Sequence, residues 1–576
     1  MKTIFTTRRI LLLILLFAAL LRLYGIIWDQ GFHLHPDERA IVMAVDSLQY
    51  PKDLTEFLSV DSPWNPKFFA YGSFPMYLLQ FAGDKMAAVN LQFGEYSMIN
   101  LVGRFLSAMF DLATIALLFF IGRKLFRPAV GLFAAFFYAI SVLPIQLSHF
   151  YAVDTILTFF ITVTLYVLLL FYEKPSFIKS LLLGLFFGLA LATKVSAIVL
   201  FISIGTALFI DFLLLFIKNP HKPQQYKRHL ADVIRNTFTF GVIITAAAFA
   251  AFILFEPYAF IDRKTFWEQT LYQSMMTKDA FVFPYTLQYV GKIPYLYELY
   301  NIFLFGLGPV LSVLCFLGIG YAVMQAVRKG HKNLLPQIII LFTFFLSYFW
   351  VVGGFAIGFM RYMLPVYPLL CLFGAVLAYQ LFRTLNEKVK NKTLLLILSF
   401  SSLVLLLLWP LSFVQIYAHN NTRYDATTWM QRNIPPGKAI AIEHWDDGLP
   451  LIGQEQYVVI TLGLYEPDTP EKWVLVKNQL EQTDYIIIAS NRLYTPLQKL
   501  TNCAKLPPMK CYPQTTAYYQ RLFSGQLGFE KVAEFENYPT VPFLNIPIND
   551  QAADESFTVY DHPKVMIFKK TGQVNL

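Results

Sequence analysis

The segment ILLLILLFAALLRLYGIIW, residues 10–28, contains no acidic residue and is followed closely by GFHLHPDERA, residues 31–40. About 20 consecutive apolar residues are enough to cross a bilayer as an α-helix. We therefore predict that the first segment is a membrane helix. The acidic pair Asp37–Glu38 in the second segment is then expected a few residues beyond one membrane face, beside two histidines and a proline.

The composition of the whole chain is that of an integral membrane protein. Of its 576 residues, 56% are hydrophobic and only 14% are charged, and the mean hydropathy is +0.51. Soluble globular chains carry about a quarter charged residues. The net charge of +9 does not indicate a nucleic-acid partner, because the cations cluster in a few short loops. Membrane lipids are the expected surroundings.

Basic residues at the N-terminus predict the orientation of the first helix. Lys2, Arg8 and Arg9 precede it and no small-x-small cleavage site follows it, which favours an uncleaved span over a signal peptide. Positive-inside logic places these cations in the cytoplasm. Ten further apolar segments give about eleven spans in total: residues 103–126, 129–147, 152–172, 179–193, 195–217, 235–256, 300–327, 334–352, 362–383 and 392–417.

Two apolar stretches allow more than one interpretation. Residues 76–89 contain Asp84 and Lys85, so we interpret this piece as lying in the membrane interface, with a true span as the alternative. Residues 180–217 form either one broken helix or two passes. Their length favours two passes.

The loop cations support the eleven-span topology. Seventeen of them fall in the five predicted cytoplasmic loops, as the positive-inside rule requires. The short outer loops carry almost none, so Lys194 and Arg361 stand out as cations that topology does not explain. The inner-loop residues are Arg123, Lys124, Arg127, Lys174, Lys179, Lys218, Lys222, Lys227, Arg228, Arg235, Arg328, Lys329, Lys332, Arg383, Lys388, Lys390 and Lys392.

An odd number of spans divides the chain into two domains. Residues 1–420 are predicted to be the membrane domain, with a first extracytoplasmic loop at 29–100. Residues 421–576 are predicted to be a small extracytoplasmic α/β domain, because strand-like runs such as KAIAIEH, YVVITL, DYIIIAS and KVMIFKK occur there. The expected location is the plasma membrane. In an extracytoplasmic domain, Cys503 and Cys511 could form a disulfide bridge.

Ionisable residues close to a membrane are costly and need a reason. The topology brings eleven of them to the outer side: His33, His35, Asp37, Glu38, Arg104, His149, Asp154, Lys194, Glu256, Asp262 and Arg361. Several have structural explanations. Asp37 and Glu38 suit the first turn of a helix after a proline, Arg104 can extend to headgroups, and Asp154 can cap a helix. Lys194 and Arg361 more strongly indicate an anionic ligand. A lysine between two apolar segments needs an anionic partner, and the guanidinium of an arginine can bind phosphate oxygens through two hydrogen bonds.

Five motifs, taken in order, resemble those of a known family. They are HPDE at 35–38, GRFLSAMFDL at 103–112, SHFYAVDTILTFF at 148–160, GLALATKVSAI at 188–198 and MRYMLPVYPLL at 360–370. Together they resemble the membrane glycosyltransferases of the C-type fold. The nearest group is the polyprenyl-phosphate-dependent enzymes related to protein O-mannosyltransferases and lipid A aminoarabinose transferase. The resemblance covers roughly residues 1–420.

This resemblance implies a function. Such enzymes pass a sugar from a polyprenyl-phosphate donor to an extracytoplasmic acceptor, which is a protein, a lipid or a glycan, with inversion at the sugar. The resemblance makes Asp37 the general base and Glu38 its catalytic neighbour. It places Arg104, Arg361 and Lys194 at the donor phosphate, and it assigns the substrate pocket to His35, His149, Asp154 and Tyr362. Related enzymes use metal sites, but no ligand spacing in this sequence maps one, so a divalent metal stays open.

Two other classes of function compete with this interpretation. A transporter or flippase of a lipid-linked or small substrate would also place rare charges among membrane helices. Transporters, however, tend to show internal repeats and charges near the middle of the bilayer, whereas this sequence has no visible repeat and its charges gather at one face. A non-catalytic membrane scaffold is the second alternative.

Overall fold

The computed structural model describes residues 2–217, 223–328 and 334–576 of the chain. Its described N-terminal part is almost entirely helical. The α-helices are α1 (Lys2–Leu23), α2 (Pro36–Asp46), α3 (Leu54–Phe57), α4 (Ser73–Ala87), α5 (Ile99–Leu125), α6 (Pro128–Ala139), α7 (Val142–Ser148), α8 (Asp154–Glu173), α9 (Phe177–Leu191), α10 (Leu200–Ile217), α11 (Pro223–Phe255), α12 (Tyr258–Ile261), α13 (Arg263–Lys278), α14 (Leu296–Asn301), α15 (Pro309–Val327), α16 (Leu335–Gly353), α17 (Tyr367–Lys388) and α18 (Lys392–Val414).

The prediction of a polytopic helical membrane protein is confirmed. Within the described residues, seven helical segments are long and apolar enough to cross a membrane: Ile99–Leu125, Asp154–Glu173, Ala231–Phe255, Pro309–Val327, Leu335–Gly353, Met360–Lys388 and Lys392–Asn433. An eighth arises if α6 and α7, which are bent by 59°, form one span. The other three predicted spans correspond to α1, α9 and α10, and the total of eleven stays a prediction.

The structure does not test the predictions for four inner-loop cations and for the apolar segment 76–89. The inner-loop cations Lys218, Lys222, Lys329 and Lys332 lie outside the described residues. The apolar piece predicted at 76–89 corresponds to α4, which has 15 residues and is not among the seven segments above. Its placement in the membrane interface stays a prediction.

The C-terminal part is a small α/β domain, as predicted. Its five-stranded sheet has the order β2-β1-β3-β7-β4, with β1 parallel to β2 and β3, and β7 antiparallel to β3 and β4. Apolar clusters cover both faces of the sheet. The elements are α19 (Thr422–Asn433), β1 (Ala439–Glu443), β2 (Val458–Leu462), α20 (Pro470–Gln482), β3 (Tyr485–Ile488), α21 (Tyr494–Leu497), α22 (Pro513–Phe523), β4 (Phe529–Phe535), β5 (Thr540–Val541), β6 (Ile546–Pro547), α23 (Glu555–Thr558) and β7 (Val565–Lys570).

Four of the strands match the strand-like runs in the sequence, namely β1, β2, β3 and β7. The sequence did not predict β4 or the small β5–β6 hairpin. The three charged residues of β4 (FEKVAEF) hide the apolar pattern of a strand. It lies at the edge of the sheet, where Glu530, Lys531 and Val532 are exposed. Cys503 and Cys511 are joined by a disulfide, which agrees with the prediction for an extracytoplasmic domain.

One segment of the C-terminal domain is built into the membrane domain. Phe557 and Tyr560 pack in the hydrophobic core formed by the membrane helices. The side chain of Gln146 donates a hydrogen bond of 2.7 Å to the Phe557 carbonyl oxygen and one of 3.0 Å to the Asp561 carboxylate. The α/β domain is therefore anchored on the same end of the helical bundle that carries α2.

Candidate functional site

Asp37 and Glu38 face different surroundings because they are neighbours on a helix. Pro36 is the first residue of α2, and the His35 side chain caps the helix by accepting a hydrogen bond of 3.3 Å from the Glu38 amide. Proline is favoured in the first turn because its ring fixes a helical φ. Successive side chains on a helix diverge by about 100°. Asp37 consequently faces a cavity, whereas Glu38 points into the protein interior.

Glu38 belongs to a buried ion cluster with Arg104 and Asp29. The Arg104 guanidinium donates to both Glu38 oxygens at 2.9 and 2.6 Å and to both Asp29 oxygens at 3.0 and 2.6 Å. All three side chains are 0% exposed. The Tyr151 amide donates to Glu38 as well, at 2.8 Å. The cluster connects α2, α5 and the loop before α8. Because its charges are buried and paired with each other, we interpret it as a stabilising element of the fold.

A cavity of about 810 Å³ lies in front of Asp37. Lys194, Arg361 and Tyr362 line it on the membrane-domain side. The C-terminal domain closes it from the opposite side with six residues that sequence reasoning did not select: Trp445, Asp446, Asp447, Arg492, Glu555 and Tyr560. A site of this kind, concave and carrying a few convergent charges, is the usual form of a substrate pocket.

The charges on the membrane-domain side form a chain of ion pairs. Arg361 Nη2 lies 2.8 Å from Asp37 Oδ2, and Arg361 Nε lies 3.8 Å from Asp154 Oδ2. Lys194 Nζ donates to Asp154 Oδ1 at 2.8 Å and lies 4.4 Å above the centre of the Tyr362 ring. Five sequence-predicted residues therefore meet at one place: Asp37, Asp154, Lys194, Arg361 and Tyr362.

Arg361 retains hydrogen-bonding capacity that the described residues do not use. Its Nε and Nη1 atoms are buried and make no hydrogen bond within the described part of the chain. An unpaired buried donor is costly, and a charged one more so. The free edge of the guanidinium is thus suited to an anion such as phosphate, which binds arginine through two parallel hydrogen bonds.

The protonation state of Asp37 follows from its neighbours. Burial raises the pKa of its carboxyl group, but the positive charge of Arg361, helped by a hydrogen bond from Tyr71, outweighs burial and holds the pKa below its usual value. Asp37 is consequently a carboxylate at neutral pH. Burial lowers the pKa of His35 to about 3, so this imidazole is neutral and acts as a helix cap.

Five of the predicted site residues lie outside the lining of the cavity, and one of them, Asp154, contacts the lining residues Lys194 and Arg361. Glu38 and Arg104 pair with each other in the buried cluster. His35 packs between the rings of Phe150 and Tyr560, at 4.4 and 4.3 Å. His149 stacks on Tyr417 at 3.8 Å, and its ring nitrogens lie 2.9 Å from the Ile145 and Tyr24 carbonyl oxygens. These contacts of Glu38, Arg104, His35 and His149 hold the fold together. Geometry therefore gives no support to the predicted roles of these four residues in catalysis, phosphate binding or substrate binding.

The described residues give no indication of where a divalent metal would bind. No group of three or more His, Cys, Asp or Glu side chains that could hold a metal occurs in the described ranges. The carboxylates of Asp37 and Asp154 are paired with Arg361 and Lys194, respectively. We therefore assign no step to a metal.

The six cavity residues of the C-terminal domain gave little signal in the sequence. Asp446 and Asp447 lie three and four residues after the end of β1, beyond the carboxyl end of a parallel strand, where functional side chains often lie. That position was the one indication available for them. Glu555 and Tyr560 reach the cavity only because the segment around α23 packs into the membrane domain, and no local pattern encodes this.

Comparison with known proteins identifies the fold. A family model described as dolichyl-phosphate-mannose-protein mannosyltransferase matches residues 97–234. The Archaeoglobus fulgidus oligosaccharyltransferase tethered to an acceptor peptide with the NVT sequon has a TM-score of 0.53 at 14% identity, covering 98% of this chain and 88% of that chain. AglB, the oligosaccharyltransferase from Archaeoglobus fulgidus in complex with an inhibitory peptide and a dolichol-phosphate, has a TM-score of 0.51 at 13% identity, covering 99% and 89%. The chain has the C-type glycosyltransferase fold.

Other comparisons are weaker. ArnT from Cupriavidus metallidurans in the apo state has a TM-score of 0.44 at 14% identity, covering 84% of this chain and 94% of that chain. No curated protein matches the sequence. The family match includes Asp154 and Lys194 of the C-type glycosyltransferase domain, whereas Asp37 and Arg361 lie outside the matched range.

Proposed function

We propose that this chain is a membrane glycosyltransferase that moves a sugar from a polyprenyl-phosphate donor to an extracytoplasmic acceptor, with inversion and with Asp37 as the general base. The fold and the family match support a transferase of glycosyl or oligosaccharyl groups that uses a lipid-phosphate carrier. The observation that carries the proposal is the placement of the Asp37 carboxylate beside the unused edge of Arg361 in one cavity.

The donor phosphate binds at Arg361 and Lys194. Its oxygens accept hydrogen bonds from Arg361 Nε and Nη1, the two buried donors without a partner among the described residues. Lys194 adds a second positive charge from its position above the Tyr362 ring. As the bond between the sugar and the phosphate breaks, negative charge develops on the phosphate, and the two cations stabilise it.

Asp37 activates the acceptor. Its carboxylate accepts the proton of the acceptor hydroxyl or amine while the acceptor oxygen or nitrogen attacks the anomeric carbon. The sugar–phosphate bond breaks on the opposite side, so the configuration inverts and polyprenyl phosphate leaves. A donor phosphate bound to Arg361 also partly neutralises the positive charge of the guanidinium. This weakens the ion pair between Arg361 and Asp37 and makes the Asp37 carboxylate a stronger base.

The cavity of about 810 Å³ has room for both substrates. We propose that the donor enters from the membrane-domain side and the acceptor from the side of the C-terminal domain, between Trp445 and Arg492. This arrangement requires the N-terminus in the cytoplasm and the C-terminal domain outside, as the loop cations predict.

Asp37→Asn tests the proposal. The purified protein is incubated with a panel of polyprenyl-phosphate sugars and candidate acceptors, and products are identified by mass spectrometry. Removing a general base typically lowers kcat by about 10²–10⁴-fold, and donor binding should persist. Asp46→Asn, an exposed change at the other end of α2, is the matched control. Full transfer by the Asp37→Asn protein would refute the base, and wild-type protein that moves a lipid-linked substrate across liposomes without transfer would favour a transporter.

A further inference from the structure

A second functional surface lies in the C-terminal domain, on the short hairpin of β5 and β6. We call residues 540–547, TVPFLNIP, the apolar hairpin. Thr540 pairs with Pro547 and Val541 with Ile546, which leaves Pro542–Asn545 as the tip. The segment carries no charged side chain.

The tip presents its largest side chains to the outside. Phe543 is 101% exposed, Leu544 68% and Ile546 54%. Phe543 and Asn545 both have left-handed backbone conformations, with φ of 65° and 52°, which L-residues other than glycine adopt rarely. The strained turn holds the phenylalanine ring away from its own domain. Contiguous exposed apolar groups mark interaction sites, so we infer that the ring has a binding partner.

The position of the hairpin identifies that partner. Asn537, just before the hairpin, donates a hydrogen bond of 2.8 Å to the carbonyl oxygen of Ile416, beyond the end of α18. Three residues later, β5 packs against α18 itself, which ends at Val414. The hairpin therefore begins beside the C-terminal end of α18, a helix that belongs to a segment long and apolar enough to cross a membrane.

Much of the exposed surface of α18 is apolar. Leu405 and Leu408 on this helix are exposed, as are Leu396 and Phe400 farther along it, and an integral membrane protein covers such a face with lipid chains. The apolar hairpin, whose strand β5 contacts α18, adds further exposed apolar side chains beside this helix, and the hairpin itself carries no charged residue.

We propose that the apolar hairpin inserts its tip, Phe543 and Leu544, into the boundary between lipid headgroups and acyl chains beside α18. The ligand is the bilayer itself, recognised through apolar burial and not through headgroup charge, because the hairpin carries no charge. After the hairpin, the chain continues through Asp550, which contacts His562, to Glu555 and Tyr560, which line the cavity. Insertion would thus fix the segment of the C-terminal domain that closes the catalytic cavity.

The first test places a nitroxide spin label at Leu544→Cys in the full-length protein, reconstituted in phosphatidylcholine nanodiscs. The native cysteines do not interfere, because Cys503 and Cys511 are joined and Cys315 and Cys371 are buried. The control is Val474→Cys on α20, an apolar position that is 63% exposed on a helix packed against the sheet. We expect the label at 544 to collide more with oxygen than with a water-soluble nickel chelate, and the label at 474 to show the reverse. Equal water accessibility at the two positions would overturn the proposal.

A second test keeps the aromatic ring at the tip. Phe543→p-benzoylphenylalanine is illuminated in the same nanodiscs and analysed by mass spectrometry. A phospholipid adduct at 543, absent when the group replaces Val474, supports insertion. Adducts formed with the nanodisc scaffold or another protein copy, and none with lipid, would assign the hairpin to a protein partner and overturn it.

Discussion

Arg361 Nη2 lies 2.8 Å from Asp37 Oδ2, although the two residues lie near opposite ends of the membrane-domain sequence. The pair leaves two guanidinium nitrogens of Arg361 without a hydrogen bond among the described residues. The same arginine therefore holds the proposed base and offers donors to an anion.

Arg361→Lys is expected to weaken donor use by roughly 10–150-fold in kcat/KM. A lysine keeps the charge but cannot supply the planar pair of donors, and a hydrogen bond to a charged group contributes about 1.5–3 kcal/mol. The measurement is transfer rate against the concentration of polyprenyl-phosphate sugar. Arg263→Lys at an exposed position is the control, and an unchanged KM and kcat for Arg361→Lys would remove Arg361 from the phosphate site.

Arg104→Met is expected to destabilise the fold and to leave donor affinity unchanged in the folded protein. The change leaves the Glu38 and Asp29 carboxylates buried without their cation, and removing one partner of a buried pair costs about 3–5 kcal/mol. Thermal unfolding in detergent measures the loss, and donor KM is measured on the folded fraction. Unchanged unfolding together with a raised donor KM would restore Arg104 to the phosphate-binding role predicted from the sequence.

Alkaline pH is expected to weaken the junction between the two domains through His562. Its ring nitrogens lie 2.5 Å from Asp561 Oδ1 and 2.9 Å from Asp550 Oδ2. Although burial lowers the pKa of His562, the charges of these two aspartates raise it from 6.5 to about 10. Because the folded-state pKa is the higher one, the stabilisation is complete below pH 6.5 and is lost as the pH rises through about 10.

Thermal unfolding of wild type and His562→Gln between pH 6 and roughly pH 10.5 measures this effect. Wild type should lose stability across that interval, and the variant should start lower and show a flatter dependence. His419→Gln, at an exposed histidine, should follow wild type. Parallel curves for wild type and His562→Gln would show that the imidazolium does not stabilise the junction.

Gly72→Ala is expected to disturb the site without changing any charge. The Gly72 amide donates to the Thr193 carbonyl at 3.1 Å, and the Phe74 amide donates to the Ala192 carbonyl at 3.2 Å. A Cβ atom at Gly72 would overlap the Ala192 carbonyl oxygen, so the turn that carries Lys194 must move. Overpacking of this kind costs about 1–3 kcal/mol.

The readouts for Gly72→Ala are thermal unfolding and donor KM, and both should worsen. Gly205→Ala is the matched control, because a Cβ at Gly205 meets no atom within 4 Å and alanine favours a helix. If Gly72→Ala had the unfolding temperature and donor KM of wild type, the turn would accommodate the added Cβ next to the Ala192 carbonyl, and the prediction would be wrong.

Parts of the site were predictable because topology alone brings them together. Asp37, Asp154, Lys194 and Arg361 each lie next to the end of an apolar segment, and counting loop charges put all four at the same end of the bundle. Their joining in one chain of ion pairs agrees with that prediction. Arg104 was placed at the same end, but its depth and rotation on α5 direct it into the buried cluster, and sequence spacing does not determine either.

The amino-acid sequence by itself determined that the chain is a polytopic helical membrane protein with an α/β domain at its C-terminal end. Apolar length, loop cations and strand patterns are local properties, so they could be read without a structure. Tertiary packing decided which acid of the Asp37–Glu38 pair faces the cavity, and it decided that Tyr560 and Arg492 help to enclose it. Those relationships depend on helix rotation and on contacts between residues far apart in the chain, which arise only when the two domains pack against each other.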